Sequence, residues 1–332
     1  MNQFALGDMP IPGPPWLFIT LLLLIFWLHL ISMWVLVGTL IFGIKEVSER
    51  KDDWQQSRSI RFLPVIMAIV LNLGIPPLLF LQVLYSPFFF SSSILIAVPW
   101  ISVFFLLMFG YGMIYAARYG AKNNIQAMIF LALSFIAVLT ISFIFSNNMT
   151  LMIKPALWQQ IYSYKQNGLN LNPELGEVVA RWLWILSAAF AAGAVTIDRS
   201  KKWVIASAVI SVISLFIYKG FLSPEILSSQ LVNISFYSDL LISVAGLVLA
   251  FIPLKDETTR RILLGAWVGV KGLSVVAFRH GIRTASLDPI YPLNKLPVEH
   301  QSYLIALFVV GLIIGVVTLG WMFNNGRKDL SI

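Results

Sequence analysis

The chain contains no cysteine. That absence excludes disulfides, iron–sulfur ligation and covalent c-type haem attachment by this polypeptide. Any redox centre must be held by His, Met or another non-thiolate ligand, or belong to a partner. Charge is also scarce: Asp, Glu, Lys and Arg make up 11% of 332 residues, against 58% hydrophobic. Mean hydropathy is +0.84. A soluble domain of this size could not cover its own surface with so few polar groups, so that class is excluded. Histidine is rare too, with three in all. One of them, His29, is the single ionisable side chain in LFITLLLLIFWLHLISMWVLVGTLIFG, residues 17–43.

What is present is a series of apolar runs. In hydrocarbon every backbone polar group must be satisfied within the structure, so helices or a closed barrel are the options. The runs are about twenty residues or longer, the length of a crossing helix, whereas barrel strands would be near ten and alternating. The expected fold is all-α: a polytopic membrane helix bundle, with 1–332 forming a single transmembrane domain. Nine spans are expected at roughly 16–43, 61–86, 91–117, 125–147, 178–197, 202–222, 236–254, 262–280 and 302–325. The start MNQFALGDMPIPGPPW lacks a basic n-region and an A-x-A site, so the first span reads as retained.

The net charge of +8 is a topology signal. Lys45, Arg50, Lys51, Arg58, Arg61, Arg118, Lys122, Arg199, Lys201, Lys202, Lys255, Arg260, Arg261, Arg327 and Lys328 all fall in alternate connections. They account for 15 of the 23 basic residues. The positive-inside rule then predicts the N-terminus outside and the C-terminus in the cytoplasm. Contact with anionic lipid fits this distribution, and nucleic acid does not. The larger connections lie on the outer face. Residues 148–177 carry a short amphipathic piece from Pro155 to Tyr164, with Trp158, Ile161 and Tyr162 suited to the headgroup region. Residues 281–301, with three prolines, read as an ordered cap or docking loop. Within the spans, VLNLGIPPLLFLQVLY carries Asn72, Gly74, Pro76 and Pro77, and the Pro-Pro pair predicts a kink or break. AAFAAGA, residues 188–194, presents small residues that let another helix approach closely.

Candidate chemistry rests on few side chains. A neutral histidine at the depth of His29 can bond a neighbouring helix, ligate haem iron or serve a proton path. His280 is expected at the outer end of the eighth span and His300 in the following loop; with Arg279 they show no metal-ligand spacing. Asp239, Lys271 and Arg181 are charges inside or opening apolar spans, and Asp239 is expected to pair with Lys271, Arg279 or Arg283. Such charges suit either a structural ion pair or an anionic ligand such as a haem propionate or quinone head. Nucleophile, base and orienting group do not converge, which argues against a hydrolase, and no chain of acids crosses the membrane as in a proton pump.

Order and spacing add a resemblance. IFWLHLISMWVLVGTLIF resembles the first helix of subunit I of cytochrome bd quinol oxidases, in which a histidine is an axial haem ligand. RFLPVIMAIVLNLGIPPLLFLQVLY is similar to that family's second helix. FSNNMTLMIKP, residues 145–155, is similar to its N-x-W-M-x-x-P stretch, and ARWLWILSAAFAAGAV, residues 180–195, to its fifth helix. The resemblance covers roughly the first 200 residues. It implies a multi-pass protein of a bacterial-type inner membrane and carries over His29 as a ligand position and Asn148, Met152 and Pro155 as the loop motif. Departures accompany it: Trp184, which cannot coordinate iron, stands where the family has a haem ligand, and the seventh span has no methionine. The third span has no acid, and the loop after the sixth is short. The resemblance thus implies a simplified subunit of a bd-like respiratory electron-transfer complex, holding one haem b at His29, a quinone near the outer surface, or both. Trp184, Asn148, Met152, Arg181 and His280 would stand near the cofactor. Other membrane subunits and an external cytochrome or redox subunit would be its partners. The alternatives are a cofactor-free scaffold that docks such a cytochrome and a small-solute transporter.

Overall fold

The computed structural model describes residues 10–50, 52–164, 166–198, 200–252, 256–299 and 301–329. His300, Lys51, Arg199, Lys255 and residues 1–9 lie outside the described residues. The helices are α1 (Pro15–Glu49), α2 (Arg58–Leu84), α3 (Ser86–Leu95), α4 (Ala97–Tyr115), α5 (Asn124–Met152), α6 (Trp158–Tyr164) and α7 (Leu175–Leu186). They continue with α8 (Ala188–Gly193), α9 (Lys201–Gly220), α10 (Pro224–Leu227), α11 (Gln230–Phe251), α12 (Glu257–Leu287) and α13 (Ser302–Asp329). Eight helical stretches are long and apolar enough to cross a membrane. A ninth helix, α13, has a shorter described apolar run, Ile305–Thr318. The chain is a polytopic helical bundle of a multi-pass membrane protein. Outward-facing Ile101, Phe104, Phe105 and Met108 on α4 are each more than half exposed, a surface suited to lipid tails.

Local chemistry explains where several helices begin. Pro15 opens α1, where the missing N–H is one the helix would leave unpaired anyway. Both carboxylate oxygens of Glu46, near the end of α1, accept N–H groups of the next helix, from Arg58 at 2.9 Å and Ser59 at 3.0 Å. An anion there satisfies orphan donors and faces the positive end of the α2 dipole. Asn123 caps α5 through Gln126 N, and Asp256 caps α12 through the N–H groups of Thr258 and Thr259.

The structure departs from the sequence-based expectations in several places. Pro64, Pro76 and Pro77 all lie inside an unbroken α2, so the Pro-Pro pair does not break the second span. A helix can run on through proline in a membrane when neighbouring groups satisfy the freed carbonyls. The third span starts only at Ala97, because Ser86–Leu95 folds as a separate short helix. The fifth is divided at Ser187 and ends in a π-helical turn, Ala194–Asp198. Asp239 lies ten residues into α11, not at its start. The helix bearing Lys271 is 31 residues long and runs to Leu287, which shortens the following connection. That connection is ordered by backbone pairing: Ile11 N donates to Pro297 O, and Glu299 N to Ile11 O, both at 2.9 Å. Trp158 turns inward, donating to Leu151 O at 2.9 Å, while Tyr162 and Tyr164 stay exposed.

α1 is the hub, touching α2, α5, α8 and α12. The small-residue face of residues 188–194 is what brings α8 against it. A Cβ on Gly38 would lie 2.4 Å from Ala189 O and 2.5 Å from Gly193 N, so the two backbones are in direct contact. Trp34 locks the same interface, its indole N–H donating to Ile185 O at 2.6 Å.

Candidate functional site

A cavity of about 230 Å³ opens among α1, α2, α5, α7 and α12. Most of its wall is aliphatic or thioether, including Leu22, Met33, Met67, Val138 and Met149. Its polar side chains include His29, Arg181, Arg279, His280 and Arg283, and no carboxylate lines it among the described residues.

His29 sits on α1 with its ring laid against α2. Its Nδ1 is 3.1 Å from Val70 O. A carbonyl can only accept, so Nδ1 carries the proton and Nε2 keeps its lone pair. This is the arrangement in which an imidazole serves as a metal ligand, oriented by a backbone carbonyl on its other nitrogen. The ring fits because position 74 is glycine: a Cβ there would stand 2.9 Å from His29 Cε1. The site is therefore built by two helices, one supplying the imidazole and the other the space and the acceptor.

Three guanidinium groups line the cavity. Arg279 and Arg283 are one turn apart on α12. Arg279 stacks over Phe26 at 4.2 Å, and Arg283 lies 5.1 Å from the Tyr85 ring. Arg283 Nη2 donates to His280 Nδ1 at 3.1 Å, which leaves the His280 proton on Nε2. His280 thus accepts through Nδ1 and carries its proton on Nε2, so neither ring nitrogen is a free ligand. Arg181, 5% exposed on α7, donates from Nη1 to Thr150 Oγ1 at 2.8 Å. The Nε atoms of all three arginines are buried without a partner. Cationic donors in an apolar cleft whose described lining holds no acid have the chemistry to pair with an anionic group.

The other residues singled out in the sequence lie elsewhere. Trp184 is fully buried between Tyr218 and Phe278 and donates to Asp239 Oδ2 at 2.9 Å. Asp239 also accepts from Lys271, at 2.7 Å and 2.6 Å, and from Ser274 at 2.5 Å, while Lys271 donates to Ser243 at 2.9 Å. This set ties α7, α11 and α12 together in a closed core, and of the three partners weighed for Asp239 the structure selects Lys271. Asn148 donates to Ser93 at 3.1 Å and Met152 is buried; neither lines the cavity. His29, Arg181 and His280 are brought together; Trp184, Asn148 and Met152 are not. Sequence reasoning missed the role of Gly74 and the convergence of Arg279 and Arg283 with Arg181. The four-residue spacing of two arginines within a mostly apolar helix was the signal that could have found the pair.

Next to Arg181, where α5 meets the start of α7, Lys154 bridges the carboxylates of Glu174 and Glu177. Burial opposes the Lys154 charge, but hydrogen bonds and attraction from the two carboxylates outweigh it, and the ammonium is held above its ordinary pKa. Among the described residues, no group of three His, Asp or Glu could hold a bare metal ion.

These features define a helical membrane protein with an apolar cavity that carries three arginines and two histidines in its wall. No family model matches the sequence, and no curated protein matches it. Its fold is that of a chain in the structure of bd oxidase from Geobacillus thermodenitrificans. The TM-score is 0.65 at 15% identity, covering 97% of this chain and 100% of that one. The shared fold extends across the whole bundle, well beyond the first 200 residues in which the sequence resemblance lies.

Proposed function

We propose that the chain is an integral membrane subunit of a bd-like respiratory electron-transfer complex and holds one b-type haem through His29. The observation that carries this reading is the His29 ring, with Nδ1 committed to Val70 O and Nε2 open inside the cavity. A haem there would supply one-electron chemistry at its iron. The chain's own part is binding and electrostatics. Arg181, Arg279 and Arg283 would hold an anionic part of the group, the aliphatic wall would exclude water, and the Val70 carbonyl keeps Nε2 available. Trp184, fully buried and hydrogen-bonded to Asp239, cannot ligate iron, which argues for a single such group. The bundle would sit in a bacterial-type inner membrane with its N-terminus outside. The connections at 148–177 and 281–301 would dock other membrane subunits and an external cytochrome or redox subunit. A quinone in the same cavity, or a cofactor-free scaffold, is the second reading, favoured by the self-contained Trp184–Asp239–Lys271 core.

A reduced-minus-oxidised spectrum of the purified chain decides between them. The proposal expects a b-type band that disappears in His29→Ala and weakens in Gly74→Val. Absence of any band in the wild type refutes haem binding and leaves the scaffold or the quinone.

A further inference from the structure

The junction of α5 and α7 collects buried polar atoms that the cavity does not itself use. Glu177, in the first turn of α7, is fully buried; one carboxylate oxygen meets Lys154 and the other, Oε1, has no partner. Asn147 Nδ2, Asn172 Nδ2 and Arg181 Nε are likewise buried and unpartnered. Neighbouring bonds fix them in place: Asn147 Oδ1 accepts from Asn172 N at 2.8 Å, Ser146 Oγ donates to Val178 O at 3.3 Å between α5 and α7, and Arg181 Nη1 donates to Thr150 Oγ1 at 2.8 Å. A buried polar group left without a partner is costly, and native proteins meet such groups with ordered water. Four such atoms where α5 meets α7, with Arg181 one turn from Glu177 on the same helix, describe a seam suited to internal water. The seam has two ends. At one, Glu174, its side chain 44% exposed, shares Lys154 with Glu177. At the other, Arg181 lines the cavity.

We propose that this seam is a hydrated proton path between solvent and the cavity, with Glu177 as its proton carrier. An excess proton arriving from the cavity as hydronium passes to Glu177 Oε1, and the hydronium is left as water. The neutral acid then returns it to water on the side of Glu174, whose exposed carboxylate passes it to bulk. Every transfer is reversible and no electron moves in it. Lys154 remains an ammonium throughout and is a positioning residue; Arg181 orients water at the cavity end and carries no proton. The charged and titratable groups facing Glu177 are Lys154, Glu174, Arg181 on its own helix and Tyr218 from α9. The purpose of the path rests on the redox reading of the cavity, but its existence does not.

Two measurements on the full purified chain test it separately. The first is an experimental map of the wild type at a resolution that shows water. Ordered water joining Glu177 Oε1 to Arg181 Nε supports the path, and a dry seam overturns it whatever the cavity binds. The second follows redox-linked proton exchange with a pH-indicator dye in the haem-loaded chain. Glu177→Gln keeps the shape and the contact with Lys154 but cannot carry a proton, so exchange should slow at least tenfold. Glu177→Asp should restore it to within about threefold. Unchanged exchange in Glu177→Gln, with the haem band intact, overturns the path and leaves the His29 assignment standing. A wild type without a haem band refutes the redox reading alone, and the map still decides the seam.

Discussion

The Lys271–Asp239 pair offers the sharpest test of how this bundle is held together. Both side chains are fully buried, at 1% and 0% exposure, and every oxygen of Asp239 is met by Lys271, Ser274 or Trp184. Lys271→Met removes the cation and leaves a carboxylate in a low-dielectric core with only neutral donors. Breaking a buried pair on one side costs about 3–5 kcal/mol. A lone Asp or Lys at the centre of a membrane helix costs about 2.5–3.5 kcal/mol on insertion scales, so the two routes to the magnitude agree. Asp239→Leu should cost a similar amount, because it strands the ammonium beside Ser243. The double variant removes both charges, and apolar side chains of similar volume recover most of the loss; pairs replaced in this way are often neutral or more stable. Unfolding in mixed micelles, with the four proteins forming a double-mutant cycle, measures this directly. The reasoning predicts a coupling energy of about 3 kcal/mol or more, equivalent to at least a hundredfold in the folding equilibrium. Single losses that simply add in the double variant would refute it, and the contact would then be an incidental neighbour of a core held by packing alone.

Other outcomes follow from single contacts. Gly38→Leu drives a side chain into the Ala189 and Gly193 backbone, so it should destabilise the fold by more than the ~1–3 kcal/mol of ordinary overpacking, read as a lower midpoint in the same micelle assay. Trp34→Phe removes the hydrogen bond to Ile185 O and leaves that carbonyl without its indole partner, for a loss of about 1–3 kcal/mol. Raising the pH should weaken the tie between Lys154 and the two glutamates. Its pKa is higher in the folded chain than in the unfolded one, so the stabilisation is complete below the ordinary lysine range and is lost as pH climbs through the folded value. Thermal stability from pH 7 to 11 should therefore fall more steeply in the wild type than in Lys154→Met, and parallel curves would contradict the assignment.

Much of the architecture was legible in residue order alone. Runs of about twenty apolar residues dictate helices, because hydrocarbon leaves the backbone no other partner than itself. The small residues of 188–194 announced a close helix contact, and α1 supplies it through Gly38. Boundaries set by packing were less legible. Nothing local in SPFFFSSSIL distinguishes a separate helix from the start of the third span, and the Pro76-Pro77 pair reads as a break when the surrounding helices are not yet in view.

By itself, then, the sequence determined the class, the membrane setting and the identity of His29 as the side chain most out of place. Hydrophobicity and periodicity are local properties, and one imidazole in a charge-free run is visible without coordinates. Only the tertiary structure decided what His29 faces. Val70 and Gly74 lie about forty residues away on another helix, and Arg181 and Arg279 come from two more. It also decided that Asp239 belongs to Lys271 and Trp184 and leaves the three arginines to the cavity. Which buried charges meet is set by helix rotation and depth in the bundle, and those are fixed by every interface at once.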